Sequence, residues 1–225
     1  HPWQGAWWAL AAAALLATLV AARATRALHA PPAPGAVREP VRWARFGLGL
    51  AGYGCFGLGY IGYMTFIVSL LREQQVPAGQ IVAFYTLLGL AVVASSWLWA
   101  GLLQRFRGGG PLALLNALLA VATMLPVLSS HPVAVFASGL LFGAVFLSVV
   151  ASTTAFVRHN LPAPAWPSGI AAYTVVFAAG QIVGPTFTGW IADGAGGLLR
   201  GLAVSALLLA VGALLAALQK PLVRP

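Results

Sequence analysis

The sequence predicts an all-α, polytopic membrane protein, and three observations lead to that fold class. Of the 225 residues, 60% are hydrophobic and only 7% are charged, whereas soluble domains carry roughly 25% charged residues. Seven apolar segments are each long enough to cross a bilayer, which takes about 20 residues. These segments are continuous and lack the alternation of a membrane β-barrel. A soluble enzyme is excluded, since three acids cannot solvate a globular surface.

The seven predicted spans follow one another along the whole chain. The first has no basic residue before its apolar run, and its arginines come after it, so it is not a cleaved signal peptide. The predicted spans cover residues 3–22, 46–71, 81–103, 111–128, 133–157, 168–192 and 198–218.

The positive charges predict how these spans are oriented. Ten of the twelve cations follow odd-numbered spans: Arg23, Arg26, Arg38, Arg42, Arg45, Arg105, Arg107, Arg158, Lys220 and Arg224. Because loop cations concentrate on the cytoplasmic side, we expect the beginning of the chain outside and its end in the cytoplasm. Abundant Ala, Gly and Pro, with eleven Arg to one Lys, indicate a bacterial source and hence an inner membrane.

The predicted domain organisation is one helix followed by six. Residues 1–22 form the first helix, and residues 23–45 form a cytoplasmic loop rich in Arg and Pro. Residues 46–220 form a compact six-helix bundle, and residues 221–225 form a cytoplasmic tail. The loop therefore separates the first span from the other six.

The loop after the third span carries a basic motif, WAGLLQRFRGGG, at residues 99–110. It resembles the signature loop of the major facilitator superfamily, G-x-L-x-D-R-x-G-R-R, with Gln104 where the family has Asp. The resemblance implies that Gly101, Gln104, Arg105 and Arg107 belong to a cytoplasmic latch. The alternative is an ordinary short basic turn on the cytoplasmic side.

The sixth span carries a second motif, G-Q-x-x-G-P-x-x-x-G-x-x-A-D, at residues 180–193. It resembles the eleventh helix of the same superfamily. Gly180, Gly184 and Gly189 would let a neighbouring backbone approach, and Pro185 removes a backbone donor and favours a kink. The alternative is static packing of small residues, which is common in membrane bundles.

The second span contains seven glycines, which permit close helix approach and bending. Helical spacing places Tyr53, Tyr60 and Met64 on one face, beside Phe56 and Gly57. This face is either the lining of a substrate cavity or a set of core aromatics. Residues 57–66, GLGYIGYMTF, resemble the seventh helix of the uncharacterised YbfB/YjiJ-like branch of the superfamily.

The resemblance extends along nearly the whole chain. The seven spans would correspond to helices 6–12 of the family fold, with helices one to five upstream of His1. The chain would then be part of a transporter, and its protein partner would be the missing N-terminal half. The bilayer would be its surroundings, and nucleic acid would not be a partner.

The resemblance also implies a function and a set of site residues. Family members transport small molecules by alternating access, in a cavity lined by helices seven, eight, ten and eleven. That implies substrate contacts from Tyr53, Tyr60, Met64, Tyr85, Phe142, Phe146, Tyr173, Phe177 and Gln181. Because none of these side chains is charged, we expect a neutral or amphipathic substrate.

Ionisable and nucleophilic side chains are scarce within the spans. The acids and histidines lie in loops or at span ends, so the sequence offers no coupling group within the membrane. The single cysteine, Cys55, excludes an internal disulfide, and we expect no metal or cofactor.

Two other classes of protein stay open as alternatives. A seven-helix receptor fits the span count, but the only lysine, Lys220, lies beyond the last span and could not carry a retinal. An integral membrane enzyme would need clustered Asp, His, Ser or Cys at one depth.

Overall fold

The computed structural model describes residues 2–26 and 43–222. The chain divides into two compact units, His1–Arg38 and Glu39–Pro225. Residues 27–42, which include Arg38 and Arg42 of the predicted loop, lie outside the described residues, as do residues 1 and 223–225. None of the described residues lies in a β-strand, and seven helical segments are long and apolar enough to span a membrane. The predicted fold class is confirmed.

The first unit is described as a single helix, α1, Pro2–Arg26. It continues four residues beyond the predicted span, because Arg23, Ala24 and Arg26 are good helix formers although the arginines are not apolar. Its apolar side chains are exposed within the unit, with Trp8 at 78% and Val20 at 70%. A helix that is apolar on all sides suits a lipid or protein surrounding.

The second unit contains the other six membrane-spanning segments. Its α-helices are α2 Gly47–Glu73, α3 Ala78–Leu98, α4 Ala100–Arg105, α5 Gly110–Leu128, α6 Pro132–Asn160, α7 Trp166–Ala192 and α8 Gly197–Ala217. Short 3₁₀ segments, Trp43–Phe46 and Ala163–Ala165, precede α2 and α7.

Proline and glycine set several helix boundaries. Prolines occupy the first turn of α5, α6 and α7, where the missing N–H breaks no helical bond. The turn before α8 passes through Gly196 at φ 102°, a left-handed conformation that glycine adopts without a steric penalty.

The third predicted span, 81–103, is interrupted in the structure. Helix α3 ends at Leu98, Trp99 adopts φ −104° and ψ −2°, and α4 continues as a separate short helix. The Trp99 indole donates a hydrogen bond of 2.7 Å to the Ala144 carbonyl oxygen of α6. This tertiary bond accompanies a break that the mostly apolar sequence does not reveal.

Helix α2 is the central element of the second unit, packed between α7 and α8. A methyl group placed on Gly52 would lie 2.8 Å from the Gly212 carbonyl oxygen and 3.2 Å from the Ala216 amide nitrogen. One on Gly59 would lie 2.7 Å from the Ser205 carbonyl oxygen. The α2–α8 contact is therefore backbone against backbone and has no space for a Cβ atom.

One end of the second unit collects most of its described cations, and we call it the basic end. There α2, α5 and α7 begin, and α6 and α8 finish. Gln219 joins two of these termini, accepting from the Gly49 amide at 2.9 Å and donating to the Arg45 carbonyl oxygen at 3.0 Å. Asn160 donates to the Arg107 carbonyl oxygen at 2.8 Å. Side-chain amides thus satisfy backbone groups at helix ends.

The α2–α8 contact yields a stability prediction. Gly52→Ala should lower the stability of the folded bundle by about 1–3 kcal/mol, because the added methyl must push two backbones apart. Gly89→Ala is the matched control, since Gly89 lies mid-helix in α3 with open space around it. Thermal unfolding of both variants in the same detergent measures the difference. Equal unfolding temperatures for the two variants would contradict the close contact.

Candidate functional site

Aromatic side chains line one face of α2 at intervals of three and four residues. Tyr53, Phe56, Tyr60 and Tyr63 follow this spacing, which places residues on one side of a helix. All four are buried, and Phe56 and Tyr63 have 0% exposure. Neighbouring rings on this face stack at 4.7 Å for Phe56 and Tyr60, and at 5.4 Å for Tyr53 and Phe56.

Two phenylalanines of α6 extend this row of rings. The Phe146 ring stacks on Tyr60 at 5.2 Å with an interplanar angle of 24°. The Phe142 ring stacks on Tyr63 at 4.2 Å and 15°. Phe142 and Phe146 lie one helical turn apart, so both rings face α2.

Helix α7 covers the row from the other side with Phe177. Its ring lies 5.3 Å from Tyr53, 5.4 Å from Phe56 and 5.4 Å from Tyr60. Tyr173, one turn earlier, meets Tyr53 edge-on at 5.6 Å. Three helices thus contribute to one group, which we call the aromatic stack: Tyr53, Phe56, Tyr60, Tyr63, Phe142, Phe146, Tyr173 and Phe177.

Glycines allow α7 to come close enough for Phe177 to reach α2. A methyl group on Gly180 would lie 2.9 Å from the Gly57 carbonyl carbon and 3.0 Å from the Leu58 amide nitrogen. One on Gly184 would lie 2.9 Å from the Leu58 carbonyl oxygen. Gly180 and Gly184 of the second motif therefore lie in the close α2–α7 contact.

Two hydrogen-bonded pairs place polar atoms at the aromatic stack. The Gln181 side-chain amide of α7 donates to the Tyr60 hydroxyl. The Tyr63 and Ser138 hydroxyl oxygens lie 2.6 Å apart, and Ser138 donates to the Ala122 carbonyl oxygen at 2.7 Å. These bonds satisfy groups that would be costly to bury unpaired.

The aromatic stack is only partly open. Tyr53, Tyr60, Phe142 and Tyr173 are buried. Phe146, Phe177 and Gln181 are half-buried. These last three are the side chains through which a small molecule would first meet the stack.

The structure brings together seven of the nine side chains predicted to contact substrate. They are Tyr53, Tyr60, Phe142, Phe146, Tyr173, Phe177 and Gln181. Met64 is half-buried one turn beyond Tyr60 and packs against the core. The ring of Tyr85 meets Phe84 of its own helix, edge-on at 5.5 Å. Met64 and Tyr85 are therefore not part of the aromatic stack.

Tyr63 is not among the predicted substrate contacts, and Phe56 is predicted only to lie beside Tyr53, Tyr60 and Met64. Phe56 has three stacked partners, Tyr53, Tyr60 and Phe177. The intervals of three and four residues from Tyr53 to Tyr63 already place Phe56 and Tyr63 on the same helix face. The predicted face instead continues from Tyr60 to Met64.

The other predicted positions on α7 differ in their surroundings. Helix α7 continues through Pro185 without interruption, and the kink stays a prediction. A methyl group on Gly189 would lie 3.6 Å from the Phe66 ring, an ordinary contact. Gly189 therefore has space that Gly180 and Gly184 lack.

The predicted latch residues lie at the basic end, on and after α4. Gly101, Gln104, Arg105 and Arg107 are exposed, and a methyl group on Gly101 would meet open space. The Arg105 guanidinium lies 5.9 Å from the Phe106 ring. The two described acids, Glu73 and Asp193, lie at the far ends of α2 and α7, so an acid partner for the latch is not among the described residues.

The aromatic stack offers apolar ring faces, hydroxyl groups and one amide, with no charged side chain. Within residues 2–26 and 43–222, no three His, Cys, Asp or Glu side chains come together in a way that could hold a metal ion. The aromatic stack can therefore hold an uncharged or amphipathic molecule by ring stacking and by a few hydrogen bonds.

The fold defines a multi-pass α-helical membrane protein. A family model described as "Uncharacterised MFS-type transporter YbfB" matches residues 1–217. The chain therefore belongs to the YbfB-like branch of the major facilitator superfamily, which implies a membrane transporter rather than an enzyme. No match was found among curated proteins or among solved structures.

The contact between Gln181 and Tyr60 yields a prediction on interhelical coupling. Gln181→Leu and Tyr60→Phe should each lower stability, and together they should cost less than the sum of the two. The expected coupling is about 0.5–1.5 kcal/mol, as for an ordinary hydrogen bond. Unfolding of the wild type, the single variants and the double variant measures it. Strict additivity would mean that the two side chains do not interact.

Proposed function

We propose that this chain is the C-terminal part of a secondary transporter that carries a small neutral or amphipathic molecule by alternating access. The observation that supports this most directly is the charge-free aromatic stack in a chain of this family. The missing N-terminal half would face the stack and complete the substrate site.

The partly open side chains suggest how the substrate would be held. Phe146 of α6 and Phe177 of α7 both stack on Tyr60. A planar apolar group could lie against either ring, since ring stacking adds about 0.5–1.5 kcal/mol beyond burial. Gln181 would exchange its bond with Tyr60 for one with a polar group of the substrate. The lack of charge in the stack disfavours a bare ion, which would lose its hydration without compensation.

The α2–α7 contact is consistent with small rearrangements within the six-helix bundle during alternating access. Helices that meet through glycine backbones can slide or rock with few side-chain rearrangements. In this proposal the basic end faces the cytoplasm, in line with the positive-inside distribution of its arginines. A coupling carboxylate, if the carrier uses one, would come from the other half, because Glu73 and Asp193 lie at helix ends.

Transport assays on the full-length protein in proteoliposomes test the role of the aromatic stack. Phe177→Ala should weaken the apparent affinity for a neutral aryl alcohol by about tenfold, because the substrate loses one of the two ring faces against which it would stack. Phe187→Ala is the matched control, since Phe187 is on the same helix but 37% exposed. A monosaccharide, which has no aromatic ring, is the comparison substrate that shows whether binding requires ring stacking. Equal affinities in wild type and Phe177→Ala would contradict the proposed site.

The predicted latch has its own test in the same assay. Changing both Arg105 and Arg107 to Ala should reduce the transport rate several-fold while leaving membrane insertion intact. The physical reason is the loss of charge-assisted pairing with an acid or a helix end of the other half. Changing Arg72 and Arg200 to Ala removes the same charge from the opposite end and is the control. An unchanged transport rate in the Arg105 and Arg107 variant would exclude the latch.

A further inference from the structure

An open groove at the basic end lies between α4, α6 and the first turn of α7. Its volume is about 460 Å³, within the range of roughly 300–1,000 Å³ that is common for ligand sites. We call it the Arg158 groove; its lining residues are Leu103, Gln104, Ala155, Arg158, His159 and Trp166. It shares no side chain with the aromatic stack.

The walls of the Arg158 groove are held in place by hydrogen bonds. The Trp166 indole donates to the Leu161 carbonyl oxygen at 2.9 Å. A ring nitrogen of His159 lies 3.0 Å from the Leu103 carbonyl oxygen and links α6 to α4. The Arg158 guanidinium lies 4.8 Å from the Trp166 ring centroid, a cation–π contact that limits its rotation. The cation is thus positioned before any ligand arrives.

The charge around the groove is of one sign. Arg158 is exposed, and its stacking on Trp166 leaves guanidinium N–H groups available to an acceptor. The described acids cannot neutralise it, because Asp193 caps α7 at the end opposite Trp166 and Glu73 ends α2 on that same far side. An anion is therefore the complementary ligand.

An apolar strip leads from the groove along α6 toward the middle of the bundle. Ala155, Ala151 and Leu147 follow at intervals of four residues, so they lie on one helix face. Ala151 is exposed and Leu147 is 45% exposed. The two alanines add little side-chain bulk to this face, which extends about 12 Å from Ala155 to Leu147 by helix rise.

We propose that the Arg158 groove binds the phosphate of an anionic phospholipid, with one acyl chain along Ala155, Ala151 and Leu147. Charge-assisted hydrogen bonds from Arg158 hold the phosphate. Arg and Trp at a helix end match the depth at which headgroups meet hydrocarbon. The apolar strip favours a lipid over inorganic phosphate, because an acyl chain can pack against these side chains and a free phosphate ion cannot.

Native mass spectrometry of the full chain in a neutral detergent tests this proposal. Phosphatidylglycerol should bind the wild type more tightly than phosphatidylcholine. Arg158→Gln should weaken phosphatidylglycerol binding by about tenfold, as expected for the loss of a charged hydrogen-bond donor. Arg200→Gln, which removes an exposed arginine at the opposite end, should leave it unchanged. Ala151→Phe keeps the cation but fills the strip, and it should also weaken binding.

Three results would overturn the proposal. Equal phosphatidylglycerol affinity in wild type and Arg158→Gln would exclude the arginine as the headgroup ligand. Displacement of the lipid by inorganic phosphate alone would reduce the groove to a simple ion site. Equal affinity for the two lipids would mean that the groove does not recognise the anionic charge of the headgroup.

Discussion

The close backbone contact of α2 with both α7 and α8 is the constraint on which the second unit depends. Gly52 and Gly59 face α8, and Gly57 faces Gly180 of α7. In a bilayer the lipid tails are as apolar as the side chains, so helices associate through close packing and not through burial from water. Glycine makes no side-chain contacts and lowers helix propensity, but it allows the helix backbones to approach more closely than larger residues would.

That approach determines where the rings can lie. With α7 against Gly57, Phe177 reaches Tyr53, Phe56 and Tyr60 together. The rings fill the space between helices that small residues alone would leave empty, and offset stacking fixes their orientation. The helix packing and the aromatic stack therefore depend on the same glycine contact, and a substitution in that contact should disturb both.

Charge is separated from this interior along the helix axes. The aromatic stack is uncharged, whereas Arg105, Arg107 and Arg158 gather at the basic end and Glu73 and Asp193 lie at the other. Charged groups are costly at the centre of a bilayer and inexpensive at its surface. The two kinds of candidate site thus differ in chemistry: stacking in the interior, and anion recognition at the interface.

The sequence by itself determined the seven membrane-spanning segments and the distribution of charge, because apolar length and loop cations act locally along the chain. It also contained the glycines of α2 and the ring spacing from Tyr53 to Tyr63. Only the tertiary structure decided which rings meet, since stacking partners lie on different helices. It placed Phe56 inside the aromatic stack and Tyr85 outside it. The Arg158 groove likewise exists only where three helix ends converge, and no local pattern encodes that convergence.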